Sequence, residues 1–254
     1  MKFQKYSFLV LSLFVLTFTA CEKEDPQSEP TTPGSLKLEF EHVWGSSGAE
    51  FSLNRELTHP RTNDVMTFST FKYYVSNVKL QKEDGTWYSM PESYYIVDAD
   101  PTTGSNEIKL SDIPAGKYRA IEVMYGVDST RNVSGAQQGA LDPERGMFWS
   151  WNTGYIMVKA EGSSPNSTTG AFSFHLGGFR GENAVPRTFK YEFGESVSIN
   201  GNEAPSAHMI SNVASLWHSA ENLSVRNRNH MPNAIAKNMT GDFYERIRFD
   251  HLHK

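Results

Sequence analysis

The chain has 254 residues, of which 38% are hydrophobic, 13% aromatic and 21% charged, and its formal net charge is −5. This apolar fraction supports a packed core and excludes disorder throughout. The acidic balance lacks the basic footprint that a phosphate backbone requires, which argues against nucleic acid as a partner.

Lys2 and Lys5 flank the start of an apolar run, YSFLVLSLFVLTF at 6–18, and the small residues Thr19 and Ala20 stand just before Cys21. The run is short for a membrane span and leads to a processing position, so residues 1–20 read as a lipoprotein signal peptide. A cysteine at that point resembles the lipobox of bacterial lipoproteins, where it becomes the lipidated first residue. Cys21 is the only cysteine, so a mature chain lipidated there has no disulfide and no thiolate ligand. Residues 21–34 are rich in Glu, Pro, Ser and Thr and read as a flexible tether behind the lipid. The expected location is the cell envelope, lipid-anchored to the outer membrane at its periplasmic face or the cell surface.

Residues 35–254 show no internal repeat and no second linker, and read as one domain. SLKLEFEH (35–42) alternates, with Leu36, Leu38, Phe40 and His42 on one face and Lys37, Glu39 and Glu41 on the other. FKYYVSNVKL (71–80) is rich in aromatic and β-branched residues, and Asp84-Gly85 behind it signals a hairpin. Strands follow at 93–98 and on both sides of the Pro114-Ala115-Gly116 turn. RGMFWSWNTGYIMVKAEG (145–162) reads as a strand bent at Gly154, in which Trp149 and Trp151 share a face because they lie two apart. AFSFHLGG (171–178) and RTFKYEFGESVSI (187–199) complete the series. Turn residues at short intervals give an all-β expectation: a single β-sandwich-like domain of about eight strands. Short C-terminal helices are expected at 211–219 and 232–244. Residues 245–254 return to alternation, with Ile247, Phe249, His251 and His253 on one face.

Several side chains in this pattern suit a metal. His42 lies on the apolar face of the first strand, and His175 lies opposite Phe172 and Phe174. Imidazole ligates copper or zinc through one ring nitrogen while the other is fixed by a hydrogen bond. His208-Met209 and His230-Met231 each place a thioether, a soft donor, beside an imidazole. In the polar loop 126–146, Asp128, Asn132 and Asp142 offer oxygen ligands or, alternatively, Asx-turn bracing. HExxH, GxSxG, GxGxxG and P-loop patterns are absent, so the chain reads as a binding protein rather than an enzyme.

The segment GVDSTRNVSGAQQGALDPERGMFWSWNTGYIMVKAEG (126–162), followed by FSFHLGGF (172–179), resembles the MbnP-like family of exported bacterial copper-binding proteins. LEFEH (38–42), FKYYVSNVKL (71–80) and AKNMTGDFYERIRFDHLH (236–253) support the resemblance. It implies a β-rich exported protein that takes copper as its cofactor, for acquisition or storage and without turnover. It also implies a partner, a di-haem oxidase of the MauG type, that converts a tryptophan to kynurenine. An indole N–H only donates hydrogen bonds, whereas kynurenine carries an aryl amine and a ketone that can ligate a metal. Carried onto this chain, His175 of FHLGG is the first ligand candidate, His42 the second and His251 the third. Trp149 and Trp151 are the candidate modified positions, Trp149 preferred. Some relatives carry a histidine where this chain has Asn132-Val133. The competing expectation is a surface β-sandwich lipoprotein that binds a glycan or a protein, with Trp87, Trp149 or Trp151 as an exposed stacking platform.

Overall fold

The computed structural model describes residues 1, 32–134, 137–149 and 154–253. Cys21, Trp151, the export segment and most of the tether lie outside the described residues. In chain order the first strands are β1 (Gly34–Trp44), β2 (Ala49–Glu50), β3 (Glu56–Thr58), β4 (Val65–Lys82), β5 (Trp87–Ser89), β6 (Tyr94–Asp98), β7 (Glu107–Ile113) and β8 (Gly116–Tyr125). A short helix α1 (Ser129–Val133) leads to β9 (Ile156–Ser163), β10 (Ala171–Gly177), β11 (Arg187–Ile199), β12 (Ser206–Asn212) and β13 (Arg228–Asn229). Helix α2 (Ala234–Tyr244) and strand β14 (Ile247–His253) end the chain.

The all-β sandwich expected from the sequence is present, with 14 strands among the described residues where about eight were anticipated. One sheet runs β14-β12-β1-β2 with β7 also on β1; the other runs β11-β8-β4-β9-β10-β13 with β3, β5 and β6 along β4. Strand β4 is the spine of the second sheet. Along one edge β9 pairs with it from Thr67 to Tyr73 and β8 takes over from Val75 to Lys82. Along the other edge it meets β3, β6 and β5 in turn. Asp84-Gly85 makes the β4–β5 hairpin turn, with Gly85 at φ 90.

The alternation read at 35–42 holds. Leu36, Leu38, Phe40 and His42 are buried between the sheets. They face the inward residues of β4, where Phe40 meets Tyr73 edge-on at 5.9 Å. Phe71 touches the rings of His42, Phe51, Phe68, Tyr73 and Phe243, most of them edge-to-face, the favoured geometry for aromatic quadrupoles. The Tyr73 hydroxyl reaches Ser211 Oγ of β12 at 2.9 Å, a buried polar tie between the sheets. Helix α2 starts at Asn233, whose side chain accepts from the Ala236 N–H, and buries Met239, Phe243 and Tyr244 against one end of the sandwich.

Three local expectations change. Where a strand is expected across 145–162, the described residues form a Phe148–Tyr155 bridge and then β9, so Trp149 sits in a loop, not on a strand face. The helix expected at 211–219 is one 3-10 turn, Val213–Trp217, behind the strand β12. In β14 the register against β12 slips by one residue: His208 pairs with His251, but Met209 pairs with Phe249. Asp250 is the extra residue of this bulge, and a bulge reverses the side-chain parity beyond it. Ile247 and Phe249 therefore face inward, while His251 and His253 face solvent.

Among the described residues no helix is long and apolar enough to cross a membrane. Phe71→Ala removes the ring at the centre of the aromatic layer. It is expected to cost about 3–5 kcal/mol, read as a lower urea midpoint with an unchanged slope.

Candidate metal centre

The three imidazoles picked from sequence occupy three different environments. His42 is buried between the sheets, with Phe51, Phe71 and Tyr73 rings 5.8–6.3 Å away. Its Nε2 is buried without a hydrogen-bond partner. Burial alone pulls its pKa down to about 4, so the ring is neutral. An apolar aromatic box offers an ion no second donor. His42 is thus packed among rings, apart from His175 and His251.

His175 lies on the outer face of β10, its side chain 17% exposed. β9 runs antiparallel beside it, and the Glu161 carboxylate Oε1 accepts from His175 Nε2 at 2.6 Å. A carboxylate only accepts, so Nε2 holds the proton and Nδ1 keeps its lone pair. A carboxylate–histidine pair of this kind fixes ring orientation and raises basicity at metal sites. The His230 ring, just past β13, stacks on His175 at 4.0 Å and 8°, and its Nε2 contacts Ser173 Oγ at 2.8 Å. Burial holds the His175 pKa below its ordinary value, against the pull of Glu161. His230 is lowered as well, by burial and then by the charges of His175 and Arg228. Burial would raise the Glu161 carboxyl, but the His175 hydrogen bond and the Lys159 charge outweigh it and lower it. At neutral pH the site is two uncharged imidazoles beside one carboxylate.

Trp149 is brought to the same strand. The six-membered part of its ring lies over Gly177, two residues along β10 from His175. A Cβ on Gly177 would fall 2.7 Å from the indole, so only glycine admits it there. The ring is 4% exposed and forms part of the wall of a cleft of about 570 Å³ shared with Val133, Phe179, Arg180, Asn183 and Pro232. The loop beneath is braced by its own polar groups. Asn132 is buried; its amide donates to the Val127 and Asp128 carbonyls and its Oδ1 accepts from the Tyr155 N–H. Asp128 caps α1 and also receives Tyr94 and Asn77, and Asp142 caps the turn 143–145. These three oxygens are used in bracing, the second of the two roles open to them from sequence.

His251 stands on the other sheet, on the outer face of β14, beside His208, Asp250 and His253. The structure therefore joins His175 to Glu161 and His230, with Trp149 against Gly177 of the same strand, and not to His42 or His251. Sequence reasoning missed His230 and Glu161 as partners of His175. His230 was visible only as half of a His-Met pair, and its Met231 is exposed. In the other pair His208 faces out while Met209 is buried, as alternation within a strand requires.

A family model named MbnP matches residues 33–237. Among solved structures, MbnP from Methylosinus trichosporium is similar at 14% identity and a TM-score of 0.49, covering 80% of this chain and 82% of that one. Comparison with curated proteins finds no match.

His42 also sets a pH dependence. Its folded pKa lies below the unfolded value, so the unfolded chain binds the proton first, and stability falls as pH drops from about 6.5 to about 4. The expected loss is about 3 kcal/mol. His42→Phe is expected to remove that part of the slope in urea titrations run across the same pH range.

Proposed function

The chain belongs to the MbnP family, and on that footing we propose that it is an exported, lipid-anchored protein that binds copper for acquisition or storage, without turnover. The observation that carries the site is the His175–His230 pair on the outer face of β9 and β10, held by Glu161 beside Trp149. The donors fit the ion. Imidazole nitrogen suits copper, and with Cys21 as the sole cysteine no thiolate competes for the role. Both rings are neutral in the folded chain, so a metal meets lone pairs and displaces no proton from them.

The two rings lie parallel, so their in-plane lone pairs do not meet at one point. Glu161 anchors His175. His230, half-buried at the end of a two-residue strand, is the ring that turns to bring both nitrogens to one ion. Trp149 is the position on which conversion to kynurenine by a di-haem partner of the MauG type is expected, since its ring packs on Gly177, two residues along β10 from His175. Trp151 is the alternative position and lies outside the described residues. Cys21 is the proposed lipid attachment, placing the domain on the outer membrane.

The competing reading, a glycan- or protein-binding surface, draws on Trp87, which is 39% exposed with Lys190 over its ring at 5.4 Å. Trp44, Trp149 and Trp217 are buried. Among the described residues one exposed indole does not make a stacking platform, so the copper reading is favoured.

Copper titration of the mature protein tests the proposal. His175→Ala is expected to abolish binding at this site, and Glu161→Gln to weaken it about 10–100-fold, while His42→Phe leaves it unchanged. Undiminished uptake by His175→Ala contradicts the reading. For the tryptophan, peptide mass spectrometry of protein exported alongside a di-haem oxidase is expected to find kynurenine at residue 149, and none in Trp149→Phe.

A further inference from the structure

The strand β12 and the bulge at Asp250 assemble a second group of donors on the opposite side of the sandwich. One ligand atom each from His208, Asp250 and His251 lie within 4.8 Å of one another. The bulge is the cause. It sets Asp250 and His251 together opposite His208, where regular pairing would turn one of them away.

The hydrogen-bond pattern leaves lone pairs facing the gap. Glu41 Oε2 stands 3.2 Å from His208 Nε2, an ion-pair distance that favours the proton on that nitrogen. His208 Nδ1 is then the free donor. It is buried, has no hydrogen-bond partner and lies 3.8 Å from Asp250 Oδ2. Arg248 engages the other carboxylate oxygen, Oδ1, and so orients Oδ2. His251 donates from Nδ1 to Oδ2 at 2.8 Å, leaving Nε2 unprotonated, and His253 Nε2 stands 3.0 Å from it. That contact is a hydrogen bond in which His253 Nε2 donates to His251 Nε2, so an ion that takes the His251 lone pair displaces His253.

We infer that His208, His251 and Asp250, with His253 at their border, form a second metal site for a divalent late first-row cation such as zinc(II) or copper(II). Two imidazoles and a carboxylate are borderline-to-hard donors, which select the divalent state over copper(I). The site is independent of the His175 pair: it lies on the other sheet, and Asp250, His251 and His253 fall beyond the family match that ends at residue 237. Its structural consequence is local. β14 is the edge strand of its sheet, joined to it through β12 alone, and an ion shared by the two strands pins that edge.

The test uses the mature protein carrying His175→Ala and His230→Ala, stripped with chelator and titrated with zinc(II) alone. Calorimetry is expected to show one equivalent bound and thermal melts a Tm that rises with zinc. Adding His208→Ala with His251→Ala is expected to abolish both signals with an unchanged far-ultraviolet circular dichroism spectrum. Asp250→Asn, which keeps the side-chain shape, is expected to weaken binding at least about 10-fold. Zinc uptake that persists without His208 and His251, or no zinc uptake by the starting variant, overturns the inference. Full copper uptake by the starting variant counts instead against the His175 site and leaves this one standing.

Discussion

One constraint orders the molecule: the space between the two sheets is filled with rings. Phe40 and His42 from β1 meet Phe71 and Tyr73 from β4, with Phe51, Phe68 and Phe243 closing around them. An interior of that kind admits polar groups only when they are paired or neutral. Tyr73 meets Ser211, and His42 gives up its charge. Donors that must hold a lone pair ready for an ion are therefore pushed to the outer faces of the sheets, where backbone alternation sets them in rows. Lys159, Glu161 and His175 stand on one such face, and Glu41, His208 and His251 on the other.

The outer faces are not equivalent. Beside β10 the described part of the segment between β8 and β9 folds back, with Trp149 against the strand. Its polar residues are spent on holding it: Asn132 alone ties two carbonyls and one amide. Gly177 then lets the Trp149 ring come into contact with the strand backbone. The result is a half-buried pair of imidazoles next to an indole. On β12 and β14 His251 stays more exposed, at 47%. The first environment keeps its imidazoles neutral by excluding water, whereas in the second the imidazoles stand against carboxylates, Glu41 and Asp250.

The architecture was legible where side-chain alternation was clean. β1, β4 and β10 stand where Leu36, Phe71 and Phe172 mark them, because a half-buried strand writes itself as period two. β12 was not legible. SAHMISN buries Ser206 and Ser211 and leaves Ile210 half-exposed, so its pattern is blurred. With β12 unseen, His208 had no face and no neighbours. The bulge at Asp250 was likewise invisible, because register belongs to a pair of strands and cannot be read from one. That single slip took His251 off the face it was expected to share with Ile247 and Phe249. Trp149 was placed beside His175 through the FWSW and HLGG segments, but as a loop residue rather than one of two indoles on a strand.

The account rests on the claim that the ligating imidazoles are those on the outer faces and that the inward one only packs. Anomalous diffraction at the copper edge, from crystals of the mature protein soaked with less than one equivalent of copper, tests it most directly. The expected result is a peak within bonding distance of His175 Nδ1, on the outer face of β10. A peak between the sheets at His42, or none within reach of His175, would contradict it.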